Sequence, residues 1–111
     1  IRDTFASARQ ALAADKIYIK NDPCDPQASI MAGTWYLSRM FDQAVADGYA
    51  DRRQRQQLEA WQRPLEYYYA GPGNGRKAGR LVRIRRSGHD FIIDKQAYAE
   101  KVLKEAAAFH G

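Results

Sequence analysis

Glu66-Tyr67-Tyr68-Tyr69-Ala70-Gly71-Pro72-Gly73-Asn74-Gly75 holds the densest set of groups able to do chemistry in this 111-residue chain. Consecutive residues on a helix point about 100° apart, so the three tyrosine rings cannot all be buried on one face. At least one is expected to be exposed or to line a cleft. A tyrosine offers a flat apolar ring and a hydroxyl, which suits sugar rings or bases. The glycines that follow let a ligand approach the backbone closely. The competing reading is that Tyr67 and Tyr68 are core and the glycine-rich segment only turns the chain. Glycoside chemistry also needs a carboxylic acid with a raised pKa. Glu59, Glu66, Glu100 and Glu105 are the candidates. Glu66 has the best surroundings, because aromatic neighbours could desolvate it. An ion pair with an arginine such as Arg63 is the alternative role.

Other constellations point to less. Gly71-Pro72-Gly73-Asn74-Gly75-Arg76-Lys77 does not have the spacing of a phosphate-binding loop. Arg76, Lys77, Arg80, Arg83, Arg85 and Arg86 form a dense basic cluster. With tyrosines nearby it could serve phosphate contacts and base stacking, but no nucleic-acid-binding signature accompanies it, and a solvated face is favoured. His89 and His110 lack partners at metal-site spacing, so no metal is expected. The serines and histidines form no nucleophile elbow. Cys24 is the single cysteine and excludes an internal disulfide.

The elements that must position these groups are mostly helical. Residues 2–14 carry Phe5, Ala8 and Leu12 at helical spacing. Asn21 to Pro26 is a turn-rich connector. Asp25 then caps a helix with Pro26 at its first position, and Gly48 terminates it. Ile30, Thr34, Leu37, Phe41 and Val45 mark its expected buried stripe, with Met40 and Ala44 beside it. Residues 51–69 read as a further helix, polar at the start and aromatic at the end, with Pro64 as a kink or boundary. Residues 71–75 read as a loop. Leu81 to Arg86 fits a short strand or a continued helix, and Phe91-Ile92-Ile93 is short and apolar. Asp94 caps a last helix whose expected buried stripe is Tyr98, Val102, Ala106 and Phe109.

Eighteen Lys and Arg against 13 Asp and Glu give a net charge of +5, and 45% of residues are hydrophobic. That balance fits a single globular domain with affinity for polyanions: nucleic acid, anionic lipid or acidic cell-wall polymer. No stretch is long and apolar enough to cross a bilayer. No internal repeat or low-complexity tract divides residues 1–111.

Three spaced motifs carry a family resemblance. Asp25-Pro26-Gln27-Ala28-Ser29-Ile30-Met31-Ala32-Gly33-Thr34-Trp35-Tyr36-Leu37 resembles the D-P-x-x-x-I-x-A-G-x-x-Y-L helix of soluble lytic transglycosylases. Tyr67-Tyr68-Tyr69-Ala70-Gly71-Pro72-Gly73-Asn74 is similar to that family's A-Y-N-A-G-P-G-x segment. Asp94 to Leu103 is similar to its closing helix. The resemblance implies a mainly α, lysozyme-like fold, or its C-terminal part, with at most a short β segment. It implies cleavage of peptidoglycan between N-acetylmuramic acid and N-acetylglucosamine with an anhydromuramic product, no cofactor, and a bacterial periplasmic or envelope location.

Carried over residue by residue, the family's substrate contacts fall on Tyr68, Tyr69, Ala70, Gly71 and Tyr98. Two departures stand out. The family's catalytic Glu-Ser motif lies upstream of the D-P helix, and no Glu-Ser pair occurs in this chain. The catalytic glutamate is therefore expected outside these residues, in an N-terminal part of the same domain. The family's motif asparagine is Tyr69 here, which alters the sugar contacts. The alternatives are a non-catalytic, lysozyme-like module that binds glycan or protein, and a basic helical nucleic-acid-binding domain.

Overall fold

A computed structural model describes residues 2–110, with side chains for 4–109. The His110 side chain, weighed above as a metal ligand, lies outside the described residues. The protein is mainly helical with one short two-stranded antiparallel sheet. The order is α1 (Arg2–Ala14), α2 (Pro26–Ala46), two 3₁₀ turns (Arg52–Gln54 and Leu58–Trp61), α3 (Gln62–Ala70), α4 (Pro72–Gly75), β1 (Leu81–Arg86), β2 (His89–Asp94) and α5 (Lys95–His110). No helix among the described residues is long and apolar enough to cross a membrane. Two compact units divide the chain, Ile1–Arg39 and Met40–Gly111, and the division falls within α2.

In the first unit Phe5 and Ala8 of α1 pack with Ala28 and Ala32 of α2, and Ile19 and Trp35 flank them. Asp25 caps α2 as expected, its carboxylate accepting the Ala28 N–H at 3.0 Å. The expected α2 stripe holds in this half only at Leu37, which is half-buried: Ile30 is 69% exposed and Thr34 is exposed as well. Alanines at 28 and 32 take the buried positions instead, because a small side chain lets α1 approach closely. A scan for large apolar residues passes over such a face.

The second unit begins where the stripe holds. Met40, Phe41 and Ala44 are buried. Gly48 ends α2 with a φ of +82°, and the Tyr49 N–H reaches back to the Ala44 carbonyl at 2.8 Å. Residues 51–69 are not one helix. Asp51 caps the first 3₁₀ turn by accepting the Arg53 N–H, a second turn follows, and the α-helix starts only at Gln62. Pro64 sits in the first turn of α3, where its missing N–H has no helical acceptor to lose. Trp61 is held just before α3: its indole N–H donates to the Arg55 carbonyl at 2.7 Å, and its ring lies 4.6 Å from Phe41.

The segment expected as a loop, 71–75, is a single helical turn, α4. Gly71 makes the corner between α3 and α4 at a φ of +88°, which only glycine adopts without strain. Gly75 is required for a different reason. A Cβ there would stand 2.5 to 2.8 Å from the ring and Cα of Tyr67. Tyr67 is fully buried, and its hydroxyl donates to Asp47 at 2.5 Å.

Leu81–Arg86 resolves as a strand paired with His89–Asp94, with Leu81 opposite Asp94 and Arg86 opposite His89. Asp94 caps α5 by accepting the Ala97 N–H at 2.9 Å. The stripe expected on α5 is half right. Tyr98, Val102 and Ala106 are half-buried, but Phe109 is 90% exposed, and Lys95 and Ala99 are the fully buried residues. Phe109 lies in the last turn, past the helices and strands that cover the start of α5. Replacing Gly75 by alanine is expected to destabilise the fold by about 1–3 kcal/mol through overpacking against Tyr67. Gly73→Ala, where a Cβ meets nothing within 4 Å, is expected to shift the urea midpoint far less.

Candidate functional site

The three tyrosines of α3 have three different environments, as their angular spacing requires. Tyr67 is core, Tyr68 is half-buried, and Tyr69 is 36% exposed. Tyr69 lies flat against Tyr98 of α5, with ring centroids 4.1 Å apart and planes 4° from parallel. Two of the expected contact residues, 29 positions apart in sequence, are thus brought together as one stacked pair. Ala70 and Gly71 continue directly from Tyr69 into the corner. Asn74 closes that corner by donating its side-chain amide to the Ala70 carbonyl at 3.2 Å. Burial pushes the Tyr98 phenol pKa up, and the neighbouring Tyr68 and Tyr69 add to the shift. The Tyr98 hydroxyl therefore stays protonated as a hydrogen-bond donor throughout the neutral range.

The stack stands on an ion pair. Glu66 and Lys95 are both essentially inaccessible to water, and the Lys95 ammonium donates to the Glu66 carboxylate at 2.5 Å. Gln62 donates to the other carboxylate oxygen at 3.3 Å, while Arg63 stands 3.9 Å from the first. Glu66 precedes Tyr69 by three residues on α3, and Lys95 precedes Tyr98 by three on α5. The same two helix faces therefore meet first through buried charges and one turn later through stacked rings. Glu66 is a core residue with its oxygens occupied. The arginine pairing considered for it is present, with Arg63 as the more distant of its two cations. Lys95 is the partner that sequence reasoning missed: a lysine at the first position of a helix normally reads as solvated.

A second polar cluster fixes the other side of α3. Asp47 accepts from the Tyr67 hydroxyl and, at 2.7 Å, from Arg76. Those two bonds, the tyrosine's first, hold the Asp47 carboxyl below its ordinary 3.8. Burial, with the bond to Asp47, pushes Tyr67 well above the ordinary phenol value. Arg63 lies 3.8 Å over the Tyr49 ring and donates to the Gly75 and Arg76 carbonyls, capping the α4 turn.

The remaining candidates are dispersed. Glu100 pairs with Arg80 at 3.6 Å and is exposed, as are Glu59 and Glu105. Cys24 is an exposed free thiol. A recess of about 320 Å³ in the first unit is lined by Arg9, Gln10, Ala13, Tyr18 and Ile19, none of them a residue expected in the site. Among the described residues no cluster of three or more His, Cys, Asp or Glu could hold a metal ion. Comparison with protein-family models, curated proteins and solved structures finds no match to this chain.

Two outcomes follow for the polar core. Lys95→Met deprives the buried Glu66 carboxylate of its closest cation and is expected to cost about 3 kcal/mol, whereas Glu66→Leu with Lys95→Met should recover most of the loss. Urea unfolding of the two variants beside the unsubstituted protein checks this. The ionised Asp47 carboxylate favours folding, so its contribution is complete above its unfolded value of 3.8 and lost as pH falls below it. The Tyr67 phenol behaves oppositely: its contribution is complete below the unfolded value of 10.0 and lost as pH rises past it. Asp47→Asn should flatten the acid limb of a plot of stability against pH, and Tyr67→Phe the alkaline limb.

Proposed function

We propose that this chain forms the glycan-holding part of a lysozyme-like peptidoglycan lytic transglycosylase domain, with its catalytic acid supplied by a glutamate outside residues 1–111. The observation that carries the reading is the Tyr69–Tyr98 stack, seated at the corner of the Tyr-Ala-Gly-Pro-Gly segment that resembles the family's motif. A pyranose ring presents a face of axial C–H groups that lies against an aromatic plane, while its hydroxyls reach phenolic oxygens at the ring edge. The partly exposed ring of Tyr69, braced from behind by Tyr98, supplies that plane without needing to be ordered on binding.

The positions of Ala70 and Gly71 fit the same reading. Neither carries a side chain beyond Cβ, so a sugar can come close to the backbone. Where the family has an asparagine, Tyr69 replaces an amide that hydrogen-bonds with a ring that stacks. The proposed platform therefore relies more on apolar contact than the family's usual cleft. Glu66 serves this reading as a support, since a carboxylate closed inside an ion pair with Lys95 cannot protonate a glycosidic oxygen. The second reading, a glycan-binding module with no catalysis, shares the same platform and differs only in what lies outside these residues.

The full-length protein incubated with purified sacculi is expected to release fragments with anhydromuramic ends, detected by mass spectrometry. If the folded protein binds sacculi and releases none, the non-catalytic reading stands. Tyr69→Ala should weaken binding of a tetrameric N-acetylglucosamine oligomer roughly tenfold, the equivalent of one aromatic contact. Unchanged affinity on that substitution would remove the platform from the proposal.

A further inference from the structure

The β1–β2 hairpin, with the five residues that lead into it, concentrates the charge of the chain. Residues 76–94 hold six Lys and Arg against Asp90 and Asp94, a net +4 of the +5 carried by the whole sequence. Ion pairs take up part of it: Arg76 with Asp47, Arg80 with Asp94 and Glu100, and Arg85 with Asp90. Arg83 and Arg86 are exposed and make none of these pairs. The hairpin also exposes apolar side chains, Leu81 at 63% and Ile92 at 66%.

The backbone adds the second feature. The sheet has only two strands, so among the described residues no strand pairs with the outer edge of β1. Alternate N–H and C=O groups of Leu81–Arg86 point away from β2 along that edge. The register places Leu81, Arg83 and Arg85 on one face, beside Ile92 on β2, and Val82, Ile84 and Arg86 on the other. The two edges differ in charge. β1 carries three arginines and no acid, while β2 carries Asp90 and Asp94.

We infer that the outer edge of β1 binds an extended acidic peptide as a third strand. The peptide backbone satisfies the open edge groups. Carboxylates at alternate positions meet Arg83 and, displacing Asp90, Arg85 on one face, and apolar residues between them lie beside Ile84 on the other. This surface is separate from the tyrosine platform and does not depend on it. An extended peptide uses backbone edge, arginines and apolar neighbours together. Nucleic acid would use the arginines alone, and a bilayer would leave the strand edge unpaired inside apolar lipid.

The test uses the peptide Glu-Val-Glu-Val-Glu-Val, acetylated and amidated, titrated into the ¹⁵N-labelled protein. Slowed exchange at alternate β1 amides is expected, with affinity falling at least tenfold for the Gln-Val analogue. A comparable loss is expected for an analogue N-methylated at the positions that face β1, and for Arg83→Gln with Arg85→Gln. Both of those arginines are exposed, so the variant keeps the fold. Equal binding by the Gln-Val or N-methylated peptide overturns the inference. So does tighter binding of duplex DNA or phosphatidylglycerol vesicles through the same two arginines, and so do shifts confined to residues outside the hairpin.

Discussion

Glu66 and Lys95 are two opposite charges closed off from water between α3 and α5, and neither can be released without stranding the other. In a low-dielectric interior an unpaired charge costs several kcal/mol, so the pair tolerates only the geometry in which ammonium and carboxylate meet. That constraint fixes the rotation and the lengthwise register of α5 on α3. A slip of one residue along either helix would turn its charge about 100° away from its partner. With the register fixed, Tyr98 has one place to go, against Tyr69. The placement of the rings is thus decided one turn away, by groups that share no chemistry with them.

The same economy runs through the second unit. Its largest fully buried side chains are Tyr67, Phe41, Lys95, Glu66 and Pro64, so two of the five are charged. Polar groups buried in this way must be matched in direction as well as in volume. Tyr67 fills the space beneath Gly75 and also spans to Asp47, which Arg76 reaches from the far side. The end of α2, the middle of α3 and the end of α4 are joined through one phenol. The Tyr67 ring is buried while Asp47 and Arg76 reach solvent, so the phenol ties the core to the surface.

What could be read from the residues alone follows from which interactions are local. The caps at Asp25, Asp51 and Asp94 and the stops at Gly48 and Gly71 act within a few positions. Those at Asp25, Gly48 and Asp94 were legible as helix punctuation. The exposure of one tyrosine in three was legible from helical geometry. What was hidden depended on partners distant in sequence. Ile30 looks like core and is exposed because Ala28 and Ala32 already face α1. Lys95 looks solvated and is buried because Glu66, 29 residues earlier, lies across from it. The helix expected over 51–69 breaks because Trp61 anchors on the Arg55 carbonyl and so shortens the turns before α3.

The two tryptophans fall one to each unit. Trp35 lies in the first, with the Arg39 guanidinium 5.4 Å from its ring centroid; Trp61 lies in the second, clustered with Phe41 and Arg55 and with its N–H bonded. Their indoles have different dipolar surroundings, and hence different emission. Each unit therefore carries a built-in optical reporter. Replacing one tryptophan by phenylalanine leaves the fluorescence of the other to show whether the two halves of the chain melt together or in turn.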